Sequence, residues 1–255
     1  MTRKDFLRSR FPLAFAHRGG VQHFPENSLN AFKGAQQMGY KYMETDVHVT
    51  KDGKVIAFHD HKLDRVTDQS GNISDLKYLD LSNARIDGQE PIPLLVELLE
   101  ELPESKFNID PKHDAVVQPL AKVISKMNCV NRICIGSFSD ARITELHRLI
   151  GPQLCTGMGP KSISKLQMSK FSKKFFRAPF GDCAQVPSKI KGVSFITKDF
   201  VNRAHEHGKV VHAWTINDAN EMEYLLDIGV DGIMTDNLEI LKSVYLSRGI
   251  WDEGN

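Results

Sequence analysis

No charge of one sign dominates this 255-residue chain: 33 Lys and Arg stand against 32 Asp and Glu, a net charge of +1. That excludes a nucleic-acid binder held by bulk charge. No apolar run approaches the roughly 18 residues of a membrane span, so no stable membrane insertion is expected. Cysteine is scarce. Cys129, Cys134, Cys155 and Cys183 form no C-x-x-C pair and have no zinc-like spacing with histidine, so they read as buried thiols in a reducing compartment. The N-terminus is basic, but its apolar stretch, residues 11–16, is too short for a secretory leader, and the expected location is cytoplasmic. No Pro/Ser-rich linker divides the chain, and no G-x-G-x-x-G follows the first strand-like run, which lowers the prospect of a doubly wound open sheet.

What is present is alternation. An apolar run, residues 13–17, ends at Arg18-Gly19-Gly20, and a helix capped by Asn27 or Ser28 runs to Gly39. A strand at 40–49 turns through Lys51-Asp52-Gly53-Lys54 into a returning piece, 55–58, that reaches His59-Asp60. Residues 61–92 break the pattern and read as an insertion, a small lid or subdomain. Strand and helix signals then resume to about residue 246, with residues 151–196 hard to assign because glycine and proline interrupt them. Gly39–Asp46 and Gly229–Asp236 repeat one layout: a helix stop at Gly, a short strand, then Thr-Asp. About eight such steps over residues 1–255 predict a single (β/α)₈ TIM-barrel domain with a small insertion after the second strand.

Polar residues concentrate at the strand ends. In a strand, residues i and i+2 share a face, so Glu44 and Asp46 project together, as do Asp110 and Lys112. Tyr42, Glu44, Asp46 and His48 make a face too polar for a packed interior unless it lines a site. Three carboxylates at one barrel mouth repel one another unless a hard divalent cation, Mg²⁺ or Ca²⁺, joins them. His17 and His59 suit acid–base work near neutrality. Arg18 and Lys112 place fixed positive charge where an anionic substrate would sit. Together these residues suit displacement at a phosphate ester.

His17-Arg18-Gly19 followed by Pro25-Glu26-Asn27-Ser28 resembles the opening of the glycerophosphodiester phosphodiesterase family. Glu44-Thr45-Asp46-Val47, Thr50-Lys51-Asp52-Gly53, His59-Asp60, residues 107–112, His212-Ala213-Trp214-Thr215-Ile216-Asn217 and residues 229–236 resemble its later motifs, in order across nearly the whole chain. The resemblance implies a TIM barrel with an insertion after the second strand. It implies metal ligation by Glu44, Asp46 and Asp110, acid–base roles for His17 and His59, and Trp214 at the glycerol end of the pocket. The implied reaction releases an alcohol and sn-glycerol 3-phosphate from a small-molecule glycerophosphodiester. The chain departs from the family at Asp110, usually Glu, at Pro111, usually aliphatic, and at Ser28, usually Thr.

Three rival readings remain beside it. A lysophospholipase D-like enzyme would use the same site on a greasier substrate, which requires an apolar groove at the mouth. The sphingomyelinase D-like phospholipases share fold and mechanism but are secreted, against the missing leader and disulfide pattern. A non-catalytic binder of phosphate esters would be signalled by loss of His17 or His59, and both are present. Direct attack by water and a cyclic phosphate intermediate both stay open, as do the headgroup, the oligomeric state, and the roles of His23 and Asp236. A basic segment, Lys161, Lys165, Lys170, Lys173 and Lys174, reads as a solvated helix face.

Overall fold

Strands too short to be stable alone are held by their neighbours in one parallel ladder. The computed structural model describes residues 4–168 and 179–251. Its strands in chain order are β1 (Leu13–His17), β2 (Tyr42–Val49), β3 (Val55–Ala57), β4 (Arg85–Ile86), β5 (Glu90–Pro91), β6 (Lys106–Pro111), β7 (Ile133–Ile135), β8 (Cys155–Thr156), β9 (Cys183–Pro187), β10 (Lys189–Ile190), β11 (Val193–Ser194), β12 (Val210–Trp214) and β13 (Gly232–Thr235). Its helices are α1 (Leu29–Gln37), α2 (Tyr78–Leu81), α3 (Leu95–Glu101), α4 (Val117–Lys126), α5 (Asp140–Ile150), α6 (Pro160–Met168), α7 (Lys198–Glu206), α8 (Ala219–Asp227) and α9 (Leu238–Ser247).

The barrel order is β8-β7-β6-β2-β1-β13-β12-β9, every pair parallel. The ring closes between β8 and β9 through a parallel bridge, Gly157 to Cys183. The expected TIM barrel is therefore the observed one. Helices cover it because each presents an apolar stripe at helical spacing; α4 buries Val117, Leu120, Ala121 and Ile124. Every residue of β2 is buried, since Met43, Val47 and Val49 face the helices while Tyr42, Glu44, Asp46 and His48 alternate inward. The barrel floor is filled by Phe15, Tyr42, Cys134, Cys155, Cys183 and Met234, and Phe6 from an N-terminal 3₁₀ turn closes its lower end.

The irregular stretch 61–92 folds onto β3. Leu63, Ile73, Leu81, Ala84, Ile86 and Ile92 form a satellite core with Ile56 and Phe58, beside the antiparallel pair β4–β5. Ser28 caps α1, its Oγ accepting from the Ala31 N–H at 3.1 Å, whereas Asn27 serves the site below. Residues 151–196 conceal the fifth and sixth barrel strands, β8 and β9. Of the basic segment, Lys161 and Lys165 lie on α6; Lys170, Lys173 and Lys174 fall outside the described residues.

Candidate active site

The C-terminal ends of the barrel strands surround a cavity of about 500 Å³, lined by His17, Arg18, Glu44, Asp46, His59, Asp110, Lys112 and Trp214 among others. All eight residues singled out from sequence thus face one space. Their assembly begins at the end of β1. Arg18 adopts a left-handed conformation (φ 52°), which costs a non-glycine residue roughly 1–3 kcal/mol and is tolerated where surrounding structure enforces it. Gly19 follows at φ 83°, and a Cβ there would sit 2.8 Å from the Ala31 Cβ. Only glycine lets the start of α1 pack so close under the turn.

His17 projects into the cavity with Nδ1 2.6 Å from Asp236 Oδ1 and Nε2 3.6 Å from Glu44 Oε2. His59 stands across from it, with Nδ1 2.5 Å from Asp60 Oδ1. Asp60 is held in turn by Arg65, whose Nε donates to Asp60 Oδ2 at 2.6 Å while its Nη2 donates to Glu26 Oε1 at 2.7 Å. Glu26 also accepts from Arg18 at 3.1 Å, so the insertion and the first turn are tied together by one chain of charges. Hydrogen bonding from Arg65 holds the Asp60 carboxyl down at about 2.

Lys112 Nζ lies 2.6 Å from Asp46 Oδ1 and 2.9 Å from Asp110 Oδ2, and Arg18 Nε lies 3.2 Å from Asp46 Oδ2. Asn27 completes the support of Asp46, its Nδ2 3.4 Å from Oδ2, while its Oδ1 accepts from the Thr45 hydroxyl at 2.8 Å. Burial works to raise the Asp46 carboxyl, but Lys112 and Arg18 outweigh it and hold it low. Burial raises Asp110 against Lys112. Glu44 has no lysine or arginine in ion-pair contact among the described residues, and burial, then Asp46 beside it, raises it to about 7. Burial alone would lower His17, but Glu44 and Asp236 reverse the direction and raise it.

Residues 17–240 match the family model described as the glycerophosphoryl diester phosphodiesterase family. The Mycobacterium tuberculosis protein named "Probable glycerophosphodiester phosphodiesterase 2" is 36% identical over 97% of this chain and 96% of its own. The chain belongs to the glycerophosphoryl diester phosphodiesterase family. A Rattus norvegicus lysophospholipase D is 27% identical over 89% of this chain and 84% of its own. An Oleispira antarctica phosphodiesterase, solved with the product sn-glycerol-3-phosphate, shares the fold with a TM-score of 0.77 at 23% identity, covering 92% of this chain and 96% of that one.

Enzymes of this family depend in general on a divalent metal, and the donor chemistry of the mouth accommodates one. Glu44, Asp46 and Asp110 offer hard oxygen donors, and Glu44 is a buried carboxylate whose ion-pair partner among the described residues is the His17 imidazole rather than a lysine or arginine. The three are not gathered into one tight cluster, because Lys112 stands between Asp46 and Asp110; among the described residues, the set of three potential ligands within 4.8 Å is made of cysteines instead. Asp236, unassigned from sequence, and Asp60 each contact a cavity histidine. Their common signal was placement at strand ends. His23 pairs with Glu239 at 3.1 Å on the surface, away from the cavity lining.

Proposed function

We propose that the barrel mouth hydrolyses glycerophosphodiesters to an alcohol and sn-glycerol 3-phosphate with His17 and His59 as the acid–base pair. One observation supports this most: two histidines line the same cavity, each with Nδ1 against a carboxylate. A carboxylate accepts the Nδ1 proton, so the neutral ring carries its lone pair on Nε2 and the protonated ring donates from there. The two rings divide the proton transfers. One takes the proton of the nucleophile, water or the neighbouring glycerol hydroxyl, as the new P–O bond forms, and the other protonates the departing alkoxide as the old bond breaks; where the hydroxyl attacks, water then opens the cyclic phosphate.

Arg18 and Lys112 would neutralise the phosphate oxygens, and Trp214 would cover the glycerol carbons. Glu44, Asp46 and Asp110 would hold a divalent ion, Mg²⁺ or Ca²⁺, which when bound supplies Lewis acidity at the phosphate. Lys112 must then exchange part of its contact with Asp46 and Asp110 for the substrate. We read residues 1–255 as one catalytic domain acting in the cytoplasm. The test is release of glycerol 3-phosphate from glycerophosphocholine, with EDTA, with metal restored, and with His17→Ala. Metal-restored turnover that the substitution removes is expected; turnover retained in His17→Ala overturns the acid–base assignment.

An apolar flank favours a second substrate class. Phe138 packs edge-on against Trp214, ring centroids 5.7 Å apart, and is 70% exposed; Ile190 and Phe195 continue the lining on that side. A lyso-lipid acyl chain would cover this surface, as a lysophospholipase D-like reaction requires. Hydrolysis of lysophosphatidylcholine faster than glycerophosphocholine is the result that selects this reading.

A further inference from the structure

Three of the four cysteines, scattered in sequence, converge inside the barrel. Cys134 on β7, Cys155 on β8 and Cys183 on β9 are each at most 1% exposed, and their sulfurs lie within 4.8 Å of one another. Cys134 and Cys183 are 3.8 Å apart, Sγ to Sγ. That matches the edge of a tetrahedron built on metal–sulfur bonds of about 2.3 Å, which is about 3.8 Å. His212 on the next strand, β12, is fully buried, and among the described residues its Nε2 has no hydrogen-bond partner. An unpartnered buried imidazole nitrogen costs roughly 1–3 kcal/mol; the ring meets Cys183 but lies outside the 4.8 Å set, so it joins a shared ion only by closing on the other two sulfurs.

We propose that Cys134, Cys155, Cys183 and His212 form a structural site for a thiophilic divalent ion, zinc by its preference for sulfur and nitrogen. Binding replaces three S–H bonds with three metal–sulfur bonds and releases three protons to solvent, while the imidazole binds as the neutral ring. His212 already has a supporting partner. Gln185 lies 3.4 Å from its Nδ1 and is itself paired to Asn108 at 2.8 Å. Exchanging the amide ends of both lets Nδ1–H donate to Gln185 and leaves the Nε2 lone pair for the metal. A cavity of about 210 Å³ at the lower end of the barrel, lined by Leu7, Val210 and His212, offers an approach distinct from the catalytic mouth.

The site has a mechanical reason to exist. The barrel closes where it has least ladder: β8 has two residues, and a single bridge joins it to β9. A metal bound to β7, β8, β9 and β12 would staple that seam. Hard carboxylates at the mouth and soft thiolates on the floor would then sort two ions within one barrel.

The test is spectroscopic and independent of turnover. One equivalent of Co²⁺ is added to the reduced protein as purified and again during refolding, and sulfur-to-cobalt charge-transfer absorption is recorded beside the zinc content of the purified protein. Expected is a band at one equivalent, lost in Cys155→Ser and in Cys155→Ala, retained in Cys129→Ser and in Glu44→Gln. Where a Cys155 variant does not fold, His212→Gln is read instead, with a weakened and shifted band expected. A folded protein without zinc that develops no thiolate band overturns the proposal, as does a band unchanged in folded variants of Cys155 and His212.

Discussion

Asp236 and Asp60 bear on what the two cavity imidazoles can do, because a ring whose Nδ1 proton is fixed has only Nε2 to exchange. In Asp236→Asn the new amide can donate to Nδ1, which forces the proton onto Nε2 and removes the lone pair there. We expect kcat to fall roughly 10²-fold or more with little change in KM. A kinetic comparison with Asn217→Ala, which removes a bond to Asp236 at 3.0 Å but leaves the carboxylate, separates tautomer control from loss of structure. Glu44 carries a second expectation. Its folded-state carboxyl is raised to about 7, so between about pH 4.5 and 7 the folded chain holds a proton that the unfolded chain has released. The favourable contribution is complete below that window and disappears as pH rises through it. A divalent ion competes with this proton, so Mg²⁺ or Ca²⁺ should raise the melting temperature more at pH 8 than at pH 5. Equal shifts at both values would remove Glu44 from the ligand set. Glu44 and Asp46 were legible in sequence because strand alternation aligns them, and His17 because it ends the first apolar run. The contact of His17 with Asp236 spans 219 residues and became visible only when β1 and β13 paired.

At the level of elements, legibility followed length. Leu13–His17 has the bounds read from its apolar run, since five residues lie before a clear turn signal. β8, with two residues, has no periodicity to read; it is held by β7 on one side and by Asp182 on the other, which accepts from the Thr156 N–H and donates to the Thr156 carbonyl. Asn27 was equally opaque: the caps of α1 could be Asn27 or Ser28 by chemistry, and the buried need of Thr45 and Asp46 for a partner settles which residue does which. The β2–β3 return offers a test of its own. His48 Nε2 donates to the His59 carbonyl at 3.0 Å, fixing the backbone of a cavity-lining residue, and burial pushes His48 down to about 4. Because the unfolded imidazole titrates near 6.5, this contribution is present above that pH and is lost as pH falls through 6.5 toward 4. Its full size is about 3 kcal/mol by the size of the shift. Urea unfolding of His48→Gln should therefore show a flatter pH profile over that interval; a profile parallel to that of the parent protein would refute the assignment.

Across the whole molecule, the cavity is divided by polarity. β1, β2 and β6 bring charge to one side, because their strand ends carry His17, Glu44, Asp46 and Asp110. The opposite side is supplied by the segments after β7, β8 and β9 and is uncharged and mostly apolar, with Phe138, Met158, Ile163, Ile190 and Phe195 beside Ser137 and Ser164. Such a division suits a substrate with a phosphate at one end and hydrocarbon at the other. No helix among the described residues is long and apolar enough to cross a membrane. Phe138 is the residue to change, since at 70% exposure it contributes little to the core. Truncating it removes apolar area worth on the order of 1–2 kcal/mol when a chain covers it, or roughly a tenfold loss in affinity. Phe138→Ala should raise KM for lysophosphatidylcholine by about that factor and leave glycerophosphocholine nearly unchanged, because the small substrate ends before the flank. If both substrates lose equally, Phe138 acts through Trp214 on the glycerol end; if neither changes, the apolar flank lies outside the path of the substrate and the small glycerophosphodiesters are the ones this barrel is built to cut.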